Sequence, residues 1–374
     1  MLWAELLRLW RDRAVLLTIF GGVLCYAVLY PQPYLNDRTA ELPLAVIDRD
    51  RSASSRQLLR WIDASPDVRL AFSVSQLAEV RARLELGQVR GFIDIPSGFE
   101  RDMARGASPV VALAGDANYF LVYGASMEAM ASAVLRMGAQ VQMQGALSSE
   151  RYGPWATSAV QPFRLNLQPL YNPSLGYLGY VIPAVFVLIL QQTLLLAAGL
   201  AGAGRGADGS ALRSSANRAL ALGLPYLPLA LFYFGFCFAA YEVERHARPE
   251  ALAVLILVFL LAIACMGAAF GAWLPQRRLS APLVMLSSLP MIFSAGFIWP
   301  RFLIPAPLRW LSDLAPSTPA IQAFLSLNQL GADFMVIVPF LIHLLALAAG
   351  FLALAWLGLK RRKSGRTPAS IASC

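Results

Sequence analysis

The sequence is short of charge and nearly free of lysine. Charged residues make up 14% of the 374 residues and hydrophobic residues 57%, whereas an ordinary soluble domain carries roughly 25% charged residues. Apolar content that high excludes a disordered chain, and so little charge argues against a wholly soluble enzyme. Lysine occurs only at Lys360 and Lys363. A phosphate-binding P-loop needs G-x-x-x-x-G-K-[ST], whose lysine meets the terminal phosphates. No lysine precedes Lys360, and Arg362 stands where glycine would have to precede Lys363. ATP hydrolysis of that kind must be supplied by a partner. The segment Tyr34–Pro173 contains neither histidine nor cysteine. This removes the common metal and nucleophile arrangements there, and the lack of lysine removes a Ser/Lys pair. Cys25, Cys237, Cys265 and Cys374 form no C-x-x-C pair or disulfide framework.

What is present is a set of charge-free windows: Ala14–Asn36, Leu165–Gly204, Ala219–Tyr241, Ala251–Gln276, Leu279–Pro300 and Phe334–Leu359. Each reaches the ~20 residues a helix needs to cross roughly 30 Å of hydrocarbon. Helices are expected near Ala14–Tyr30, Ser174–Ala201, Ala219–Tyr241, Ala251–Trp273, Ser280–Trp299 and Phe334–Gly358. Arginines and lysines flank one set of ends: Arg8, Arg11 and Arg13; Arg205, Arg213 and Arg218; Arg277 and Arg278; Lys360, Arg361, Arg362, Lys363 and Arg366. With six crossings these fall on one side, so both termini are expected to be cytoplasmic. Topology then accounts for most of the net charge of +9, and nucleic-acid binding loses its main support. Cys25-Tyr26-Ala27-Val28-Leu29-Tyr30-Pro31 offers no small-x-small cleavage site, so the first helix reads as an uncleaved anchor. Ahead of it Trp3, Leu6, Leu7 and Trp10 share a face, as in an interfacial amphipathic helix. The alternative is a plain cytoplasmic extension of the first span.

Between the first two helices lie about 140 residues of ordinary soluble composition, the size of a domain. Apolar runs and turn residues alternate as β-α-β-α-β-α-β-α. Strands are expected at Leu42–Ile47, Arg69–Val74, Val89–Ile95 and Pro109–Ala114. Helices are expected over Ser52–Ile62, from a Ser75 cap to Leu86, at Gly98–Arg105 and over Tyr119–Leu147. Asp48, Asp50, Asp94 and Asp116 stand at strand ends, where aspartate serves turns and caps. Binding or docking suits this segment better than catalysis. The fold class is an α-helical polytopic membrane protein, about six transmembrane helices, with an inserted extracytoplasmic α/β domain. Its parts are residues 1–33, the outer domain 34–173, a five-helix bundle 174–359 with a re-entrant segment near 299–333, and a basic tail 360–374.

Several stretches carry a family likeness. Leu44-Ala45-Val46-Ile47-Asp48-Arg49-Asp50-Arg51-Ser52, the Leu86–Phe99 run with Ile95-Pro96-Ser97-Gly98-Phe99, and Gly115-Asp116-Ala117-Asn118 stand in order before Tyr171-Asn172-Pro173. Ser294-Ala295-Gly296-Phe297, Pro300, Pro305 and Ala315-Pro316-Ser317-Thr318 follow. Together they resemble the membrane subunit of an ABC-2-type exporter, in the branch with a large extracytoplasmic domain after the first helix. The resemblance implies a permease in the bacterial cytoplasmic (inner) membrane. It implies a dimer with a second copy or a paralogue, and two separate ATP-binding cassette subunits that carry ATP and magnesium. It also allows a periplasmic adaptor and an outer-membrane channel. This chain itself is expected to hold no cofactor, no metal and no catalytic residue. Where the family has a charged R-E-x-E-x-G-T-like stretch against its ATPase, this chain has Gly202–Ser210. Arg205 and Asp208-Gly209-Ser210 could stand in, with Arg213, Trp3 and Trp10 beside them as the coupling set. The alternative is a flexible loop with no docking role.

For the transport path the candidates are Gln191 and Gln192, Ser287 and Ser288, and His343, together with Gly296, Pro300 and Pro316 as a gate. The polar side chains could touch substrate or simply hydrogen-bond neighbouring helices. With no acid in the spans, a proton-driven transporter is disfavoured, and an apolar or amphipathic substrate is expected. A receptor or scaffold is the other class considered, and an intramembrane enzyme the third.

Overall fold

The computed structural model describes residues 2–34, 41–117, 120–148 and 178–364. It divides the chain into two units, Met1–Leu35 with Tyr177–Cys374, and Asn36–Gly176. Tyr171–Pro173, the expected start of the second helix at Ser174, and the tail with Arg366 and Cys374 lie outside the described residues.

The first unit opens with helix α1 (Leu2–Arg11) and α2 (Arg13–Tyr34). They are separated at Asp12, whose extended backbone breaks the helix and whose Oδ1 accepts from Ala14 N and Val15 N to cap the next one.

The second unit holds β1 (Leu42–Asp48), α3 (Ala53–Asp63), β2 (Val68–Ser73), α4 (Leu77–Glu85), β3 (Gly91–Ile95), α5 (Phe99–Ala104), β4 (Ala112–Gly115) and α6 (Phe120–Ser148). The sheet order is β2-β1-β3-β4, parallel except for β4. Leu44, Ala45, Val46 and Ile47 of central β1 are all buried, as a parallel strand covered on both faces must be. Leu44 and Val46 join Leu58, Ile62 and Met130 under α3 and α6, while Ala45 and Ile47 join Val80 under α4. The order of elements is the one read from the sequence, with one local change: α4 begins at Leu77 after Gln76, and Ser75 does not cap it.

The acids at the strand ends are consumed by the loops. Asp48 accepts from Asp50 N, Arg51 N and Ser55 Oγ. Asp50 accepts from Gly98 N at 2.7 Å and Glu100 N at 3.0 Å. Hydrogen bonds from Ser52 and from those backbone N–H groups hold the Asp50 carboxyl below its usual range. Asp94 pairs with Arg49, and Asp116 with Arg90. The crevice at the carboxyl ends of β1 and β3, where open α/β sheets bind ligands, is therefore laced by the chain's own side chains.

The first unit resumes with α7 (Leu178–Gly202), α8 (Ala211–Ala240), α9 (Pro249–Trp273), α10 (Ser280–Ser294), α11 (Ala306–Asp313), α12 (Ser317–Phe324) and α13 (Phe334–Ser364). Among the described residues five helices are long and apolar enough to cross a membrane: α2, α7, α8, α9 and α13. The sixth expected helix, Ser280–Trp299, is shorter than its window. Helix α10 stops at Ser294 after 15 residues, roughly 22 Å at 1.5 Å per residue. Gly296 follows with φ +88°, and Gln322 Nε2 donates to Ala295 O at the frayed end. Helix α7 is the hub, 89% of its span being buried, against 22% for α13. It meets α9 through small residues: a Cβ on Gly202 would lie 2.9 Å from Gly271 Cα, and one on Gly271 2.7 Å from Ala198 O. Backbones that close are the signature of small-residue packing between membrane helices.

Candidate functional site

Two polar networks stand out in the first unit. One is charged, at the root of α1. Leu2, Glu5 and Leu9 fall on one face of α1, and Glu5 and Leu9 are buried there. Glu5 Oε1 takes Arg205 Nη2 at 3.0 Å, Arg8 Nη1 at 3.4 Å and Arg218 Nε at 3.6 Å. Arg8 reaches on to Asp208 at 2.7 Å. That hydrogen bond is the main reason the Asp208 carboxyl lies below its usual range. Ser214 Oγ donates to Asp208 O, and Lys363 Nζ donates to Gly209 O. Arg362 donates to Leu274 O at 2.6 Å. At the junction of α1 and α2, Asp12 holds Arg277 at 2.7 Å, which draws the Asp12 carboxyl down as well. Arg218 is 5% exposed and donates from Nη2 to Gly206 O, but its Nε and Nη1 have no hydrogen-bond partner. A cavity of about 20 Å³ lies beside it, lined by Glu5, Leu9, Arg205 and the small residues of α7 and α9, enough for one water.

Of the expected coupling set, Arg205, Asp208 and Gly209 enter this network. Ser210 sits at the start of α8 without a side-chain cap bond. Arg213 is exposed and carries no ion pair among the described residues, next to exposed Leu212. Trp3 and Trp10 do not join: they are 71% and 55% exposed and occupy the other face of α1. The Gly-rich loop, expected to be flexible, is tied at Arg205, Gly206, Asp208 and Gly209. Glu5, Arg218, Ser214 and Arg277 are additional members. Glu5 could have been found as the acid that shares the Leu2–Leu9 face of an otherwise basic N-terminal helix.

The other network is neutral and lies halfway along α7. Gln191 Oε1 accepts from Ser317 N at 2.7 Å, so an α7 side chain caps the first turn of α12. Its Nε2 points to Met291 Sδ at 3.2 Å. Gln192 Nε2 donates to Ser288 Oγ at 3.0 Å and Ser287 Oγ at 3.4 Å, while both serines donate to Val284 O. Gln192 Oε1 and the hydroxyls of Ser317 and Thr318 are buried and unpartnered. Pro316 leads into α12 and Pro300 into a short turn, Arg301–Leu303. A Cβ on Gly296 would lie 2.5 Å from Arg301 Cγ and 2.8 Å from Gln322 Nε2. His343 is half-buried on α13, and no hydrogen bond brings it to this group. Among the described residues no cluster of His, Cys, Asp or Glu could hold a metal.

The first unit thus combines, among the described residues, five helices of membrane-spanning length with a broken segment after α10 and a loop tied by ion pairs. The sequence profile described as "ABC-2 family transporter protein" matches residues 13–360. The chain belongs to that family. It is similar to the probable multidrug ABC transporter permease YbhS of Escherichia coli strain K12, and to that of E. coli O157:H7. Each is 23% identical over 354 residues, covering 88% of this chain and 87% of the relative. The chain is thus an ABC-2-type permease, a multi-pass membrane subunit of a kind that works with ATP-binding subunits.

Proposed function

We propose that this permease exports apolar or amphipathic molecules, driven by ATP and magnesium on separate cassette subunits that dock at the start of α8. The observation that carries this reading is the Glu5-centred network. It fastens α1, the 203–210 loop, the start of α8 and the end of α13 into one block, beside exposed Leu212 and Arg213. A push there travels along α8, which runs 30 residues to Ala240. It arrives at Tyr233, stacked on Phe186 at 4.0 Å, and at Phe234, 4.6 Å from Phe324 of α12. Helix α12 is the element Gln191 latches. Closure of the ATPases would release that latch and move the segment from α10 to α12, the proposed outer gate. The unpartnered amide and hydroxyl atoms there suit a neutral, hydrogen-bonding amphipath.

The similarity to a probable multidrug permease supports efflux of this class. If α10 and the segment through α12 count as one crossing, there are six and both termini share a side. The basic ends support a cytoplasmic side for them, and with it a periplasmic position for residues 34–173 in a cell with an inner membrane. A dimer, formed by a second copy or a paralogue, and a periplasmic adaptor with an outer-membrane channel complete the proposal. The test is purification from native membranes with mass spectrometry of co-eluting chains, then dye transport in proteoliposomes. A stoichiometric P-loop ATPase is expected with wild type, and several-fold less with L212D/R213E. Absence of an ATPase, or equal recovery with that variant, would refute the docking site.

A further inference from the structure

We infer that the junction of α1 and α2 is a binding site for an anionic phospholipid. Trp3, Leu7 and Trp10 recur at helical spacing along one face of α1 and are 71%, 39% and 55% exposed. On α2, Leu17 and Leu24 are 72% and 46% exposed. The Trp10 and Phe20 rings lie 5.6 Å apart and join the two stripes into one continuous apolar track. Aromatic residues of this kind sit at headgroup depth, and the span below them lies in acyl chains.

The charges at the top of that track are unbalanced. Arg13 stands one turn above Leu17, and Arg11 one turn beyond Leu7, each on its stripe. Both are exposed, and neither has an ion pair or hydrogen bond among the described residues. The acid between them, Asp12, is already committed to Arg277 through two contacts, at 2.7 and 2.8 Å. That pair brings the exposed and likewise unpaired Arg278 to the same corner. Glu5 and Asp208, the nearby acids, are spent on Arg205, Arg218 and Arg8. The surplus of guanidinium above an acyl-facing track is complementary to a phosphodiester headgroup whose chains lie along Leu17 and Leu24. A soluble partner would leave that track in contact with ordinary lipid, so the membrane is the occupant the two observations share. The inference stands on the membrane-spanning fold and does not depend on the ATPase docking site at Arg213.

The test uses the full-length chain in detergent. Native mass spectrometry would compare retention of phosphatidylglycerol, phosphatidylcholine and inorganic phosphate. Each arginine near an anionic surface is worth about fivefold in association, so R11Q/R13Q/R278Q should retain phosphatidylglycerol at least about tenfold less than wild type. R11K/R13K/R278K, which keeps the charge, should retain it, and so should R213Q, which removes a free arginine elsewhere. Retention of the lipid by the triple glutamine variant would overturn the site, and so would equal loss in R213Q. Displacement by inorganic phosphate at matched concentration would make it a free-anion site instead. Loss of a co-purifying ATPase with unchanged lipid would make it a protein-docking surface. If the glutamine variant does not run as a monodisperse species, single R11Q and R13Q variants should each lose severalfold, and no loss in either refutes the site.

Discussion

The charged network at the root of α1 and the neutral network around Gln191 do the same geometric job, joining elements distant in sequence, with opposite chemistry. The first sets Glu5 among Arg8, Arg205 and Arg218. The second uses two amides, a few hydroxyls, a thioether and one backbone N–H. Removing one member of a buried charge set strands the others in low dielectric, a penalty of several kcal/mol. Removing one neutral hydrogen bond costs about 1–3 kcal/mol. The charged block therefore suits a part that must stay assembled, and the neutral latch a part that must open.

The largest expected effect comes from Glu5. Glu5→Ala leaves Arg218 buried without its counter-charge and should cost about 3–5 kcal/mol. Thermal unfolding of the purified chain, with protease cleavage near α1 as a second readout, should show the loss. Replacing both partners sharpens the point: E5M/R218M should recover most of that stability, because a buried pair exchanged for apolar packing is often neutral. Failure to recover would mean that Arg205 and Arg8, not Arg218, are what Glu5 chiefly serves.

On the neutral side the two glutamines divide the comparison. Gln191→Leu orphans the Ser317 N–H and should cost about 1–3 kcal/mol, and it should raise basal leakage in transport assays. Gln192→Leu breaks bonds at 3.0 and 3.4 Å but also removes an unpartnered Oε1, so its unfolding midpoint should shift by less. Equal shifts would show that the Ser317 contact is not a latch. Gly296→Ala comes next. Its φ of +88° and the 2.5 Å approach to Arg301 Cγ put the strain at about 1–2 kcal/mol, visible as a lower midpoint together with impaired transport.

Much of this was legible in the sequence, and the misses have physical causes. Charge-free runs locate α2, α7, α9 and α13 closely, because a membrane span is defined by composition. Helix α8 begins at Ala211 and runs unbroken into the expected span at Ala219; hydropathy stops at Arg218, which is partnered by Glu5 across the fold. Helix α10 is shorter than its window because Ser294–Pro300 is apolar yet turns at Gly296, and hydropathy does not register backbone geometry. The adjacent glutamines and serines announce themselves as the polar residues of their spans. Trp3 and Trp10 were expected with the coupling loop as members of the N-terminal amphipathic helix, and they lie exposed on its other face. The residue that docks α1 is the acid on the opposite face.

The smallest effect separates the two networks by pH. Asp12 and Asp208 have carboxyls held below their ordinary 3.8 by Arg277 and Arg8. Their contribution is fully present above that value and fades as pH falls through the lowered one. Both pairs are partly exposed, so screening keeps the effect modest. As pH falls below 3.8, protease sensitivity around Arg11–Arg13 should rise while Gln191-dependent behaviour stays level, since amides and hydroxyls do not titrate there. D12N/D208N should abolish the acid dependence and start from the looser level at neutral pH. An acid response that survives in this variant would place its origin outside these two pairs.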